Sequence, residues 1–102
     1  MSYYAVVFTS QRAAGERAEY EATANRMLEL ARDMPGFLDV ESARSEDGGG
    51  ITVSYWQDLE SIRRWREHAE HRAAQHLGRT RWYQWYKLRI CKVEAEYGKM
   101  FK

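Results

Sequence analysis

The chain is poor in cysteine and proline, and it lacks an excess of either charge. Its 102 residues include one cysteine and one proline. A lone Cys91 closes no internal disulfide, which excludes a disulfide-stapled scaffold and favours a reducing compartment. The 16 Lys and Arg against 15 Asp and Glu leave a net charge of +1, so neither a nucleic-acid nor a membrane partner is expected. No apolar run approaches the roughly 20 residues that span a bilayer. The opening MSYYAVVF has only about eight apolar-leaning residues, and no signal peptide is expected. A cytoplasmic location follows. A P-loop, a dinucleotide fingerprint, a nucleophile elbow and a CxxC pair are all missing. The GGG at 48–50 has no following helix or lysine to make a phosphate cradle, and it reads as a turn.

Aromatic side chains are plentiful. Four Trp, seven Tyr and three Phe make up 14% of the chain, within a hydrophobic content of 44%. That composition belongs to a folded domain, and 102 residues make one domain, with a core over 3–97 and a loose tail at 98–102. Large aromatics beyond core needs point to a flat ligand or a partner surface.

The patterning predicts six elements. Residues 3–9, YYAVVFT, read as a strand that is apolar on both alternations, and 10–16 as a polar loop. From Arg17 to Met34, the residues Tyr20, Ala24, Met27, Ala31 and Met34 share one helical face, and Pro35-Gly36 stops the helix. A strand over 37–45, with Phe37, Asp39 and Glu41 on one alternation, turns through 46–50 into a strand over 51–56. Asp58 is an N-cap for a second helix. Residues 82–97 end in a strand that is clearest over 86–93. The order β-α-β-β-α-β is ferredoxin-like: an α+β fold with a four-stranded antiparallel sheet and two helices on one face. The other face still carries apolar residues, and the economical cover is a second copy, sheet against sheet. A homodimer is expected.

The stretch WREHAEHRAAQH, 65–76, holds all three histidines. On a helical wheel Leu59, Ile62, Ala69 and Ala73 share the Trp65 side, and Arg72 sits beside it. His68 lies about 60° to the other side, His71 near solvent, and His76 back on the Trp65 line if the helix stays regular. A metal needs three or four ligands, and this spread does not supply them, so no metal is expected. The six Arg between Arg63 and Arg81 read as a solvated helix face. Trp65 is either a core anchor or the wall of a pocket. His68 or His76 is placed to move a proton, since imidazole is the side chain that exchanges one near neutrality. Phe8, Tyr55, Arg72 and Trp82 are the candidate substrate contacts, with Phe8, Tyr55 and Tyr4 expected to line one cavity between sheet and helices. Which alternation faces the helices is not fixed by the pattern.

Taken in order, the aromatic first strand, MPGF, the hairpin VESARSEDGGGITVSYW, the W..H..H of helix two and the terminal RWYQWYKLRICKVEAEYG resemble the antibiotic biosynthesis monooxygenase superfamily over residues 3–97. The resemblance implies a dimeric α+β barrel. It also implies, for some members, an oxygenase without cofactor that turns polycyclic phenols into quinones, the substrate anion itself reducing O2. Trp65 would be the helix-two aromatic and His68 the nearby polar group. Other members degrade haem with a strand-one Asn and an axial His about ten residues after the Trp. Here that axial position falls on Gln75, with His76 one residue later, and Val7 or Phe8 stands in the strand-one region. The expected function is a monooxygenase of a small aromatic or polyketide-like phenol. Haem degradation and a non-catalytic dimeric binding module are the alternatives.

Overall fold

A computed structural model describes residues 2–13, 17–76 and 83–99, with backbone alone for 17–24 and 70–76. The elements are β1 (Tyr3–Arg12), α1 (Arg17–Arg32), β2 (Phe37–Arg44), β3 (Gly49–Trp56), α2 (Leu59–His76) and β4 (Tyr83–Val93). The strands form one antiparallel sheet in the order β2-β3-β1-β4. The expected ferredoxin-like arrangement is the observed one.

The register decides which residues share a face. Tyr4, Val6 and Phe8 stand opposite Trp56, Ser54 and Thr52 on β3, and opposite Lys92, Ile90 and Leu88 on β4. Val6, Trp56, Ala31 of α1 and Ile62 of α2 form the buried core, with Tyr4, Met34, Phe37 and Trp65 packed around it. This is therefore the inner, helix-covered face. The outer face carries Tyr3, Ala5, Val7 and Thr9, flanked by Tyr55, Val53 and Ile51 on β3 and by Val93, Cys91, Arg89 and Lys87 on β4.

Four expectations change. β1 runs three residues further, because the Arg12 N–H donates to Gly48 O at 2.9 Å and the Gln11 amide to Asp47 O at 2.7 Å. These bonds tie the strand end to the β2–β3 turn, where Gly48 has φ +93°. β4 runs from Tyr83 to Val93, so the expected strand over 82–97 ends four residues sooner. On β2 the simple alternation fails. The register shifts between Phe37 and Asp39, so Phe37 faces inward against Trp56 while Asp39 and Glu41 pair with outer-face residues, as a β-bulge produces. On α2, Leu59 is 53% exposed rather than part of the buried stripe.

The start of α2 explains the last point. Asp58 caps the helix, accepting from the Ser61 N–H at 2.8 Å and the Ser61 hydroxyl at 2.7 Å. These bonds hold its carboxyl below the usual range. Ser61 is buried against Gly36, whose φ is +84°. A methyl group at Gly36 would lie 2.6 Å from Ser61 Cβ. Ser61, not Leu59, is thus the inward residue of the first turn. Of the basic stretch, Arg63, Arg64 and Arg66 are described, and they lie exposed: Arg63 bridges Glu60 and Glu67, and Arg64 reaches Glu60 at 3.5 Å. Exposed pairs of this kind stabilise little.

Ile62→Ala is expected to cost about 2–5 kcal/mol in urea unfolding, as a cavity in a sealed core does. Leu59→Ala should stay within about 0.5 kcal/mol. Equal losses would restore Leu59 to the buried stripe.

Candidate functional site

The helices are unevenly placed over the inner face. α1 packs on β2 and α2 on β3. On the β1–β4 half, Tyr86, Leu88 and Ile90 stay 59%, 46% and 46% exposed although they stand on the helix side. Phe8 anchors this floor. Its ring stacks on Tyr86 at 5.6 Å and meets Tyr83 edge-on at 5.5 Å, and the two tyrosines are 5.9 Å apart. The result is an apolar, aromatic floor on the helix side of the sheet that the described helical side chains leave exposed.

The wall comes from α2. Trp65 stacks on Trp56 at 6.2 Å, and Trp56 stands opposite Tyr4 in the sheet. His68, one turn later, lies 5.7 Å from Trp65 with its ring tilted 32°. Both side chains are half-buried. Trp65 is therefore packed as a core anchor, one face spent on Trp56. Phe8 lies four residues beyond Tyr4, roughly 13 Å along the strand, on the same face. An imidazole at one end and an aromatic floor at the other suit a flat ligand with an acidic hydroxyl.

Three of the expected contacts are brought to one face: Trp65, His68 and Phe8. Tyr55 is a correction. It pairs with Ala5 and contacts Tyr3 at 6.0 Å on the outer face, so it cannot share a cavity with Phe8, because adjacent strand positions point to opposite faces. α2 stays helical to His76, as the wheel assumed, but the side chains of Arg72 and His76, like the whole of Trp82, lie outside the described residues. Trp56, Tyr86, Leu88 and Ile90 were not singled out in the sequence. Their signal was the period-two pattern of β3 and β4, which acquires a face only once the parity of β1 is known.

A cavity of about 500 Å³ lies on the outer face. Tyr3, Leu38, Asp39, Glu41, Tyr55, Glu96 and Tyr97 line it. The Tyr3 hydroxyl donates to the Glu96 carboxylate. That bond, more than burial, pushes the phenol up to about 12. Burial and then Glu41 raise Tyr55 in the same direction. Among the described residues, no group of three or more His, Cys, Asp or Glu is arranged to hold a metal ion, and no helix is long and apolar enough to cross a membrane.

A split β-α-β-β-α-β order with a four-stranded antiparallel sheet defines a class, the ferredoxin-like α+β domains. Within it, residues 3–77 match the model of the antibiotic biosynthesis monooxygenase family, and the chain belongs to that family. It is 50% identical over 94 residues to the uncharacterized protein YqjZ of Bacillus subtilis, covering 92% of this chain and 82% of that one. It is 30% identical over 94 residues to the jasmonate monooxygenase ABM of Pyricularia oryzae, covering 90% of this chain but only 44% of that longer enzyme. In fold it is similar to a variant of SnoaB, a cofactor-independent oxygenase from Streptomyces nogalater, with a TM-score of 0.70, 16% identity, and 96% of this chain and 98% of that one covered. It is similar also to MhuD with manganese protoporphyrin IX bound, with a TM-score of 0.73, 17% identity, and 94% and 99% covered. At these identities the two structures share the fold alone.

The Tyr3–Glu96 bond has a pH signature. A raised phenol stabilises the fold fully below its ordinary value of 10.0, and that contribution is lost as pH rises toward about 12. Ultraviolet titration should therefore show a latest tyrosine phase that disappears in Tyr3→Phe and moves down in Glu96→Gln. A wild-type curve without a late phase would contradict the contact.

Proposed function

We propose that this chain is a monooxygenase that oxygenates a small aromatic or polyketide-like phenol in the cleft between α2 and the β1–β4 half of the sheet, without metal or prosthetic group. The observation that carries the reading is the Trp65–His68 pair on the same side of the sheet as the exposed Leu88 and Ile90 and the Phe8 ring. Membership of a monooxygenase family supports it, as does the similarity to SnoaB.

The chemistry needs little from the protein. The ligand lies on the apolar floor with its hydroxyl toward α2, and Trp65 holds the ring plane. His68 takes the phenolic proton, since the phenolate, not the phenol, passes an electron to O2. Recombination of the resulting pair forms a C–O bond at a ring carbon that bears hydrogen. The hydroperoxide then loses water to leave a quinone. One oxygen atom stays on the substrate. The other leaves as water with the two hydrogens lost from the hydroxyl and the ring carbon. O2 thus takes up all the electrons the substrate gives, and no outside reductant enters. The dry apolar floor protects the anion and the radical pair from side reactions.

Porphyrin, the ligand bound to MhuD, fits the described residues poorly. The strand-one region where haem-degrading relatives would place an amide holds Phe8, whose ring is stacked on Tyr86 and has no hydrogen bond to offer. The position for an axial ligand falls on Gln75, outside the described side chains. No step is derived through haem.

The chain is also proposed to work as a homodimer, because Leu38, Ile51 and Trp85 leave large apolar surface exposed away from the helices.

With a panel of hydroxylated polycyclic phenols, one O2 should be consumed per quinone formed, without released peroxide. His68→Ala should slow turnover about 100-fold, the scale of a positioned general base, and Trp65→Ala should raise KM. Turnover equal to wild type in the Trp65→Ala, His68→Ala double variant would contradict the site. Phenol binding without O2 uptake would leave a binding module. A Soret shift on haem titration would favour porphyrin.

A further inference from the structure

The outer face has a charge pattern that the oxygenation site does not use. We propose that the tyrosine- and carboxylate-lined cavity there is a socket for Arg89 of a second copy of this chain, so that two sockets close each other across a two-fold axis running parallel to the strands. The proposal rests on the homodimer reading and adds to it the arrangement and the residues that select it.

The register carries the argument. Glu41 stands opposite Val53, Val53 opposite Val7, and Val7 opposite Arg89. One row across the outer face therefore reads acid, valine, valine, base. The neighbouring row reads Asp39, Tyr55, Ala5, Cys91. The acidic ends lie on the edge strand β2 and the basic end on the opposite edge strand β4.

For two sheets that meet on these faces with aligned strands, the two-fold axis in the plane between them has two limiting directions. An axis across the strands lays β2 over β2 and sets Glu41 and Asp39 near their own copies. An axis along the strands keeps each row at its own level and reverses it. Glu41 then meets Arg89 of the partner subunit, Val53 meets Val7 of the partner subunit, and the bulky Tyr55 lies over Ala5 of the partner subunit. Each contact occurs twice, as an isologous interface requires. Only this arrangement matches charge with charge and large with small.

The cavity suits the group it would receive. Glu41 lines it beside the Tyr55 ring, with Asp39 and Tyr3 at its walls. A guanidinium bonds a carboxylate with its planar fork and stacks on aromatic rings, which an ammonium does less well. Arg89 is exposed and makes no ion pair among the described residues. Glu41 is likewise exposed, so substitutions at either site leave the monomer's core untouched.

The test is sedimentation of wild type, Glu41→Arg, Arg89→Glu and an equimolar mixture of the two variants, with circular dichroism on each. Wild type should be a dimer. Each variant alone sets like charges together twice and should dimerise at least about 100-fold more weakly. The mixture should recover the dimer, because the heterodimer has both pairs matched. The double variant Glu41→Arg, Arg89→Glu should dimerise like wild type. Glu41→Gln, Arg89→Gln gives a second route that adds no charge, with weaker association and less salt dependence. A dimeric wild type whose single variants also dimerise normally, or whose mixture fails to recover, overturns the socket and leaves the homodimer standing. A monomeric wild type overturns both.

Discussion

The indole of Trp56 is the contact on which the arrangement depends. It is fully buried at the end of β3, edge-on to Phe37 at 5.4 Å and stacked on Trp65 at 6.2 Å. A buried indole N–H needs an acceptor, and Nε1 donates to the Ser54 hydroxyl two residues back on the same face at 2.9 Å. The ring thus has one orientation, and Trp65 must present its face to it. That sets the rotation of α2 about its own axis. His68, one turn on, is carried to the border of the cleft by the same rotation. The capped, close start of α2 at Asp58, Ser61 and Gly36 sets where along the sheet the helix begins. Helix position and cleft chemistry follow from this short stretch of packing.

The same packing divides the sheet between two uses. Helices drawn toward β2 and β3 leave the inner side of β1 and β4 as an aromatic floor, which is where a flat ligand finds apolar area. The outer side has no helix. It carries carboxylates toward one edge and basic residues toward the other, with valine, alanine and tyrosine between them. A face with apolar rows in its middle and opposite charges at its edges is suited to its own copy. The proposed oxygenation uses the inner side. The proposed assembly uses the outer side, and the two do not share a residue.

Element order was legible because each element has its own period: the stripe of Met27, Ala31 and Met34, the Pro35-Gly36 stop, the glycine turn and the Asp58 cap. Trp65 inward and His68 at the border were legible for the same reason, since a helical wheel needs no knowledge of the partner surface. The faces of the strands were not. A strand apolar on both alternations, like Tyr3–Thr9, carries no parity of its own, and Tyr55 was assigned to the wrong side on that account. The bulge at Leu38 hid the outward turn of Asp39 and Glu41 because it inserts a residue that no local pattern marks. The extension of β1 through Gln11 and Arg12 depends on bonds to the distant turn at Asp47 and Gly48. Leu59 fell out of the buried stripe because Gly36, far away in sequence, leaves room for a serine and not a leucine. These misses share a cause: each position was decided by a residue remote along the chain.

The most direct test of the account maps where a phenol binds. Backbone and side-chain NMR shifts followed during titration with a hydroxylated polycyclic phenol should move at Trp65, His68, Phe8, Leu88 and Ile90, and remain still at Tyr3, Tyr55 and Glu41. Shifts confined to the outer-face residues, or absent from the Trp65 indole and the His68 imidazole at saturation, would contradict the placement of the reaction between α2 and the sheet.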